Sequence, residues 1–470
     1  MIETIKLMKN MIDKIIPLSN TVSTRGFGLS GRTIIHDILC LTMNAKRQMG
    51  VVSIVIEGNV IAEVCEGSLR SLQANRHIEG AGKVALPGLI NAHVHGDIFL
   101  ARGLGDGIDL HTQGGESFIG RNRWFRKDLV SGLRQLSRKA QYAEALRGGT
   151  TYLCDFLFWL DEGDDLVSPF SETGLQGAIA FDYRKDFLAS ELRSEEEISR
   201  IMDALDAGGI RPILQGPSEE FFEPELLSYL RSTSDALGLQ IHLHLAETVT
   251  RKRIVIEKFG ISSVKFLKKQ GFLSDRFVGS HGVYLDVEDI DILAAEGVSI
   301  VSSPTAEMKI ADGIAPVTEL LEHGVKVGLG SDGALWNDSS DMFEEMKNLM
   351  LVQRVFNGAS SFSAYDALYA ATMGGACALG VENIYGSIEK GKRASIAIID
   401  VMRPNIVPIY HGARSNVVQN IVSCVKAQDV DIVFVDGEIV VEGGRLLRFD
   451  DAALTRAVQE EGTRLFQTHP

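Results

Sequence analysis

Between about Pro87 and Tyr385, short apolar runs recur along the chain, each followed by a longer segment of mixed polarity. Eight can be marked: LPGLINAHVH, TTYLCDF, GAIAFDY, RPILQG, QIHLHLAE, RFVGSHGVY, VSIVSSP and KVGLGSDG. Continuous apolar strands suit a parallel sheet covered by helices. Strand and helix in regular alternation predict an α/β fold, a (β/α)8 TIM barrel, with a doubly wound open sheet as the main alternative. Polar and titratable residues gather at the C-terminal ends of these runs. A ring of active-site loops requires that, so the barrel is preferred.

The ends of the chain read differently. Residues 51–64 (VVSIVIEGNVIAEV) alternate around a Gly58-Asn59 turn, a hairpin pattern. Residues 394–400 and 431–442 repeat it, with a turn at Asp436-Gly437. Neither end carries enough strands to stand alone, so the two are expected to pair into a small β-sandwich. The expected division is an N-terminal extension (1–30), a first sandwich segment (31–86), the barrel (87–385), a second sandwich segment (386–450) and a C-terminal tail (451–470). In the extension, Ile2, Ile5, Met8, Ile12 and Ile15 have near-helical spacing, without the continuous apolar stretch and cleavage site of a signal peptide. Residues 356–379 read as a helix pair closing the barrel.

Composition narrows the function. Lys plus Arg total 47 against 62 Asp plus Glu, a formal charge of −15, which disfavours nucleic-acid or anionic-membrane binding. No apolar run approaches the roughly 18 residues that span a bilayer. Five scattered cysteines exclude a disulfide framework or zinc ribbon. A cytoplasmic protein acting on a small molecule is expected.

His93 and His95 lie two apart at a strand end, so both imidazoles face one way and can reach one ion. Neutral imidazole suits zinc or ferrous iron. On QIHLHLAE, either His242 or His244 satisfies side-chain parity. His244 is nearer the strand's end and has Glu247 three residues on, where a carboxylate can transfer protons. His281 ends the next strand and Asp332 the last. Singly, each is an ordinary strand-end or turn residue. Together they place three imidazoles, a ligand carboxylate, a further histidine and a general acid/base on one rim.

PGLINAHVHGD, HLAET, SHGVYL, GIAPVTELLEHGVKVGLGSDG and DSSDMFEEMK resemble the amidohydrolase superfamily. Within it the chain resembles the aminohydrolase branch of adenosine- and S-adenosylhomocysteine-type deaminases, guanine deaminases and triazine hydrolases. The resemblance runs from about Thr33 to Glu442. It implies a barrel with a β-sandwich from both chain ends, metal ligands His93, His95, His244 and Asp332, Glu247 as proton shuttle, and His281 polarising water or substrate. Asp332 would also accept a proton. The fourth run, RPILQGPS, lacks the lysine that bridges two ions in binuclear members, so one divalent ion is expected, zinc ahead of iron. The implied reaction is hydrolytic deamination at the C–NH2 carbon of a small nitrogen heterocycle. Loss of an alkylamine or chloride, or opening of a cyclic amide, is the alternative, and a non-catalytic metal-binding sensor is third. A homodimer is implied by resemblance only.

The substrate segments depart from the family. Where relatives carry a histidine in a Pro-His-Ala-Pro-Tyr type segment, this chain has Ser218, Glu219 and Glu220, and Glu307 stands where Asn is common. The loop after the first run lacks the usual Trp-Leu and Pro-x-Glu pattern. Trp124 and Phe125 there would form an aromatic wall or simply pack a helix, and Arg102 would anchor a polar substrate group or serve structure. Glu219, Glu220 and Glu307 together predict a cationic or donor-rich substrate.

Overall fold

The computed structural model describes residues 31–111, 130–161, 164–184 and 192–468. The N-terminal extension, Trp124 and Phe125 lie outside the described residues. Strands β1 (Arg32–Leu41), β2 (Met49–Glu57), β3 (Val60–Cys65), β4 (Arg76–Glu79) and β5 (Lys83–Pro87) come first. The barrel strands follow: β6 (Leu89–Val94), β7 (Thr150–Phe156), β8 (Gln176–Asp182), β9 (Arg211–Gln215), β10 (Ile241–Leu245), β11 (Phe277–His281), β12 (Ser299–Ser302) and β13 (Lys326–Leu329). Last come β14 (Ile396–Asp400), β15 (Val430–Val435), β16 (Glu438–Glu442) and β17 (Arg445–Leu446).

Strands β6 to β13 pair in parallel in sequence order, one for each of the eight apolar runs. Between the first and last, Asp332 N donates to His93 O at 3.0 Å, drawing the barrel closed beside the candidate ligands. Buried apolar residues such as Leu153, Ile179, Leu214, Leu243 and Ile300 form the core. The Gly-rich stretch ATMGGACALG serves close packing. A Cβ on Gly374 would lie 2.2 Å from Val327 O, and one on Gly375 2.9 Å from the Ile90 side chain.

Both chain ends contribute to the second sheet, in the order β17-β16-β15-β14-β5-β1-β2-β3, with β4 pairing β1. The junction is the antiparallel pair β5/β14, from Ile396 opposite Pro87 to Asp400 opposite Lys83. This sheet folds over on itself, because Ile35, Ile54 and Ile61 share one core with Ile396, Ile398 and Phe434. The two hairpin turns meet there. Gly437 has φ 82°, and a Cβ on it would sit 2.0 Å from Gly58 O, so only glycine fits.

The C-terminal tail is a helix, Asp451–Thr468, and it docks. Asp451 pairs with Arg147 of the helix Ser131–Arg147, and Leu465 is buried with Ile98, Ala101 and Trp336 beside the loop after β6. No helix among the described residues is long and apolar enough to cross a membrane.

Candidate functional site

The rim residues arrive by local rules. His93 is the fifth residue of β6, and His95 follows the strand with its side chain on the same face. At the end of β10 the chain turns sharply at Ala246 (φ 49°), and Thr248 caps the helix Val249–Phe259 by accepting from Arg251 N at 3.0 Å. Glu247 is thereby held between strand end and helix start. His281 and Asp332, at the ends of β11 and β13, have φ values of 73° and 63°, left-handed conformations that non-glycine residues adopt at a cost.

These side chains converge. His95 Nε2 is 3.4 Å and His93 Nε2 3.8 Å from Asp332 Oδ1. The His95 and His244 rings stack at 5.5 Å, and the His93 and His244 rings meet edge-on at 5.0 Å. Two donor groups, His93–His95–Asp332 and His93–His244–His281, have all their ligand atoms within 4.8 Å of one another and share His93. His242, the parity alternative, instead has both ring nitrogens engaged, with Ser280 Oγ at 2.6 Å and Cys154 Sγ at 3.6 Å.

The donor set fits a cation. His95 Nδ1 donates to Phe156 O at 2.6 Å, which fixes the tautomer and leaves Nε2 with a free lone pair. Both nitrogens of His93 and Nε2 of His95 are buried without a hydrogen-bond partner among the described residues. Orphaned polar atoms at such density are rare in native interiors. Donors around a tetrahedral zinc stand about 3.3 Å apart, close to the His95–Asp332 separation. Burial, helped by neighbouring imidazoles, holds His93 and His244 well below the usual histidine range, and burial brings His95 down to about 3, so all three are neutral.

His281 behaves oppositely. Its Nε2 is 3.6 Å from Glu247 Oε1 and its Nδ1 is 3.7 Å from Glu307 Oε1. Burial opposes its charge, but Glu247, Glu307 and Asp332 outweigh burial and carry the imidazole up to about 10. Burial pushes Asp332 up to about 7, with His281 opposing and Glu247 adding to the rise.

The predicted substrate residues fare less uniformly. Glu307 is buried and accepts from Ser303 N at 2.7 Å and Ser302 Oγ at 3.2 Å. It also faces His281 Nδ1 at 3.7 Å. Glu219 is also buried, and its Oε1 accepts from Ala246 N at 3.0 Å, bracing the turn after β10. Glu220 pairs with Arg251 at 3.0 Å. Ser218 is buried at the start of the short turn Glu219–Phe221. Arg102 pairs with Glu144 and lies over the Phe99 ring.

Three residues escaped the sequence reading. Arg251 pairs with Glu247 as well as Glu220. Asp312 has its carboxyl pushed up to about 8 by burial, with the charge of Glu247 adding to the rise. Arg138 is fully buried, 3.8 Å from Asp97 and 3.7 Å from Asp155. In that network Asp155 accepts from Gly96 N and Tyr142 Oη, while Asp97 accepts from Phe158 N and Trp159 N. Of these, only Asp312 carried a cue in sequence, its place in the segment that also holds Glu307.

The amidohydrolase family profile matches residues 84–440. The 5'-deoxyadenosine deaminase of Methanothermobacter thermautotrophicus is 33% identical over 408 residues, 84% of this chain and 90% of that one. A 5-methylthioadenosine/S-adenosylhomocysteine deaminase from Desulforudis audaxviator is 31% identical, covering 88% of this chain and 94% of its own length. Among solved structures, an adenosine deaminase from Xanthomonas campestris with bound zinc has a TM-score of 0.83 at 23% identity, covering 93% of this chain and 98% of that one. Atrazine chlorohydrolase from Arthrobacter aurescens complexed with zinc reaches 0.80 at 23% identity, covering 92% and 99%. At that identity the two structures speak to the fold alone.

Proposed function

The chain belongs to the amidohydrolase family, and from that membership we propose that it is a mononuclear metal-dependent deaminase that releases ammonia from an adenosine-type heterocycle. It is a hydrolase of carbon–nitrogen bonds other than peptide bonds. The observation that carries the proposal is the meeting of neutral imidazoles, a carboxylate and a proton-transfer pair at one barrel rim.

His93, His95, His244 and Asp332 would hold the ion, with zinc proposed because neutral imidazoles and a carboxylate around one point suit it. When bound, such an ion lowers the pKa of its water towards about 7. His281 offers a nitrogen to the same cluster, yet as an imidazolium flanked by Glu247 and Glu307 it has no lone pair to give. Its role is to donate a hydrogen bond to oxygen at the carbon under attack and to stabilise charge there. Glu247, held by Arg251, passes one proton of the attacking water to the ring nitrogen beside the C–NH2 carbon. Asp332 accepts the other proton of that water and returns it to the exocyclic nitrogen, so that the C–N bond breaks, the carbonyl forms and ammonia leaves.

The test is an ammonia-release screen over adenosine-type nucleosides combined with elemental analysis for metal. Glu247→Gln should keep the wild-type metal content and lose turnover by about 100-fold or more. A fully active Gln variant would overturn the assignment.

A further inference from the structure

We propose that Asp312 determines specificity by accepting a hydrogen bond from an N–H or O–H donor on the substrate; the inference rests on the deaminase reading above. Asp312 follows the short helix Pro304–Lys309, which leaves the end of β12. Ala311 (φ 58°) and Gly313 (φ 130°) reverse the chain on either side, and Asp312 N donates to Glu307 O at 2.9 Å. The reversal is pressed onto the loop after His281, where a Cβ on Gly313 would lie 2.7 Å from Val283 Cγ1. That loop is tied in turn to the segment before Glu247, through Tyr284 N donating to Ala246 O at 2.8 Å. The carboxyl therefore sits at the rim, within electrostatic reach of Glu247, His281, Arg251 and Asp332.

The neighbouring acids differ in what occupies them. Glu307 is engaged by Ser303 and His281, Glu220 by Arg251, and Glu247 by Arg251 and His281. Asp332 belongs to the proposed metal set. Glu219 is wholly enclosed against Ala246. Asp312 is 6% exposed, and its Oδ2 has no hydrogen-bond partner among the described residues. A buried carboxylate oxygen left unmet is costly, and a donor carried by the substrate would meet it. A residue that only formed the turn would direct its oxygens to nearby backbone N–H groups, as Asp286 does towards Asp289 N.

The experiment compares kcat/KM for two substrate pairs that differ by donors: adenosine with 2',3'-dideoxyadenosine, and 2-aminoadenosine with adenosine. In one pair the wild type should prefer the donor-bearing member by about tenfold or more, mainly through KM, as expected where a site is built around a donor. Asp312→Ala should collapse that preference, and Asp312→Asn, which keeps the shape and one acceptor oxygen, should lie between. Preferences in both pairs that stay within about twofold of wild type in the Ala variant would overturn the inference, because a site that meets a donor must discriminate against its loss. Absence of ammonia from wild type would sink the deaminase reading instead. Dissociation constants for the same nucleosides, by calorimetry, would then read the Asp312 effect, and no binding at all would overturn it too.

Discussion

Arg138→Met should destabilise the protein strongly at alkaline pH and much less in mild acid. The guanidinium is fully buried at 3.8 Å from Asp97 and 3.7 Å from Asp155. At an effective dielectric near 20, each attraction is about 4 kcal/mol. Repulsion between the two acids and relief from burying the guanidinium offset about half, leaving a net loss of about 3–5 kcal/mol. Burial raises Asp97 to about 7, the Arg138 charge pulling against it, and Asp155 is raised as well. A carboxyl raised above its unfolded value stabilises the fold at low pH, and that contribution is lost as pH rises through the folded value. Near pH 8, above the value for Asp97, that carboxyl is charged and the variant bears the larger penalty. Near pH 5.5 Asp97 keeps its proton in the folded protein, and the penalty shrinks. At about 2 °C per kcal/mol for a large domain, the melting temperature should fall by roughly 5–10 °C at the higher pH. Circular-dichroism melts of wild type and variant at both pH values make the comparison, and adding Asp97→Asn should restore some of the loss. A shift below about 2 °C, or one equal at the two pH values, would refute the reasoning.

Glu307→Gln should retain the Ser303 contact while removing the charge beside His281 Nδ1, lowering kcat about 10- to 100-fold with metal content unchanged. Since the cationic form of His281 is lost as pH rises through about 10, the alkaline limb of the rate profile should also move to lower pH; an unchanged profile would count against that influence of Glu307. Burial pushes the Cys40 thiol up to about 12 and raises Cys154 above the usual thiol range. Iodoacetamide should therefore leave both unmodified in the folded protein and label them after denaturation, read by peptide mass spectrometry; labelling of either in the native state would contradict the packing.

Much of the architecture was legible because burial on both faces writes barrel strands as unbroken apolar runs, as in TTYLCDF and GAIAFDY. The ends of those runs pointed to His93, His95, His281 and Asp332 for the same reason, since a polar side chain there has the rim as its place. Strand β1 was harder to see. His36 and Asp37 interrupt its apolar residues where the register against β2 shifts, with Asp37 at φ 50°. The substrate side was legible only as charge. Sequence counts Glu219, Glu220 and Glu307 as three available carboxylates, but each has a partner brought by a different element. Asp312 and Arg251 escaped the sequence reading because the fold assembles their surroundings. Arg251 meets Glu247 one helical turn before it and Glu220 from another element, and the turn that holds Asp312 is packed against the loop after His281.

The pairing of β5 with β14 has a consequence for how the protein is made. Roughly 300 residues separate the two strands, so on the ribosome the edge of β5 that β14 will cover waits through synthesis of the entire barrel. At about 5–20 residues per second that is ~15–60 s with Val84, Ala85 and Leu86 presenting an open apolar edge. Nascent chains should thus be most prone to association late in translation, and chaperone demand should drop once the codons for β14 and β15 have been read.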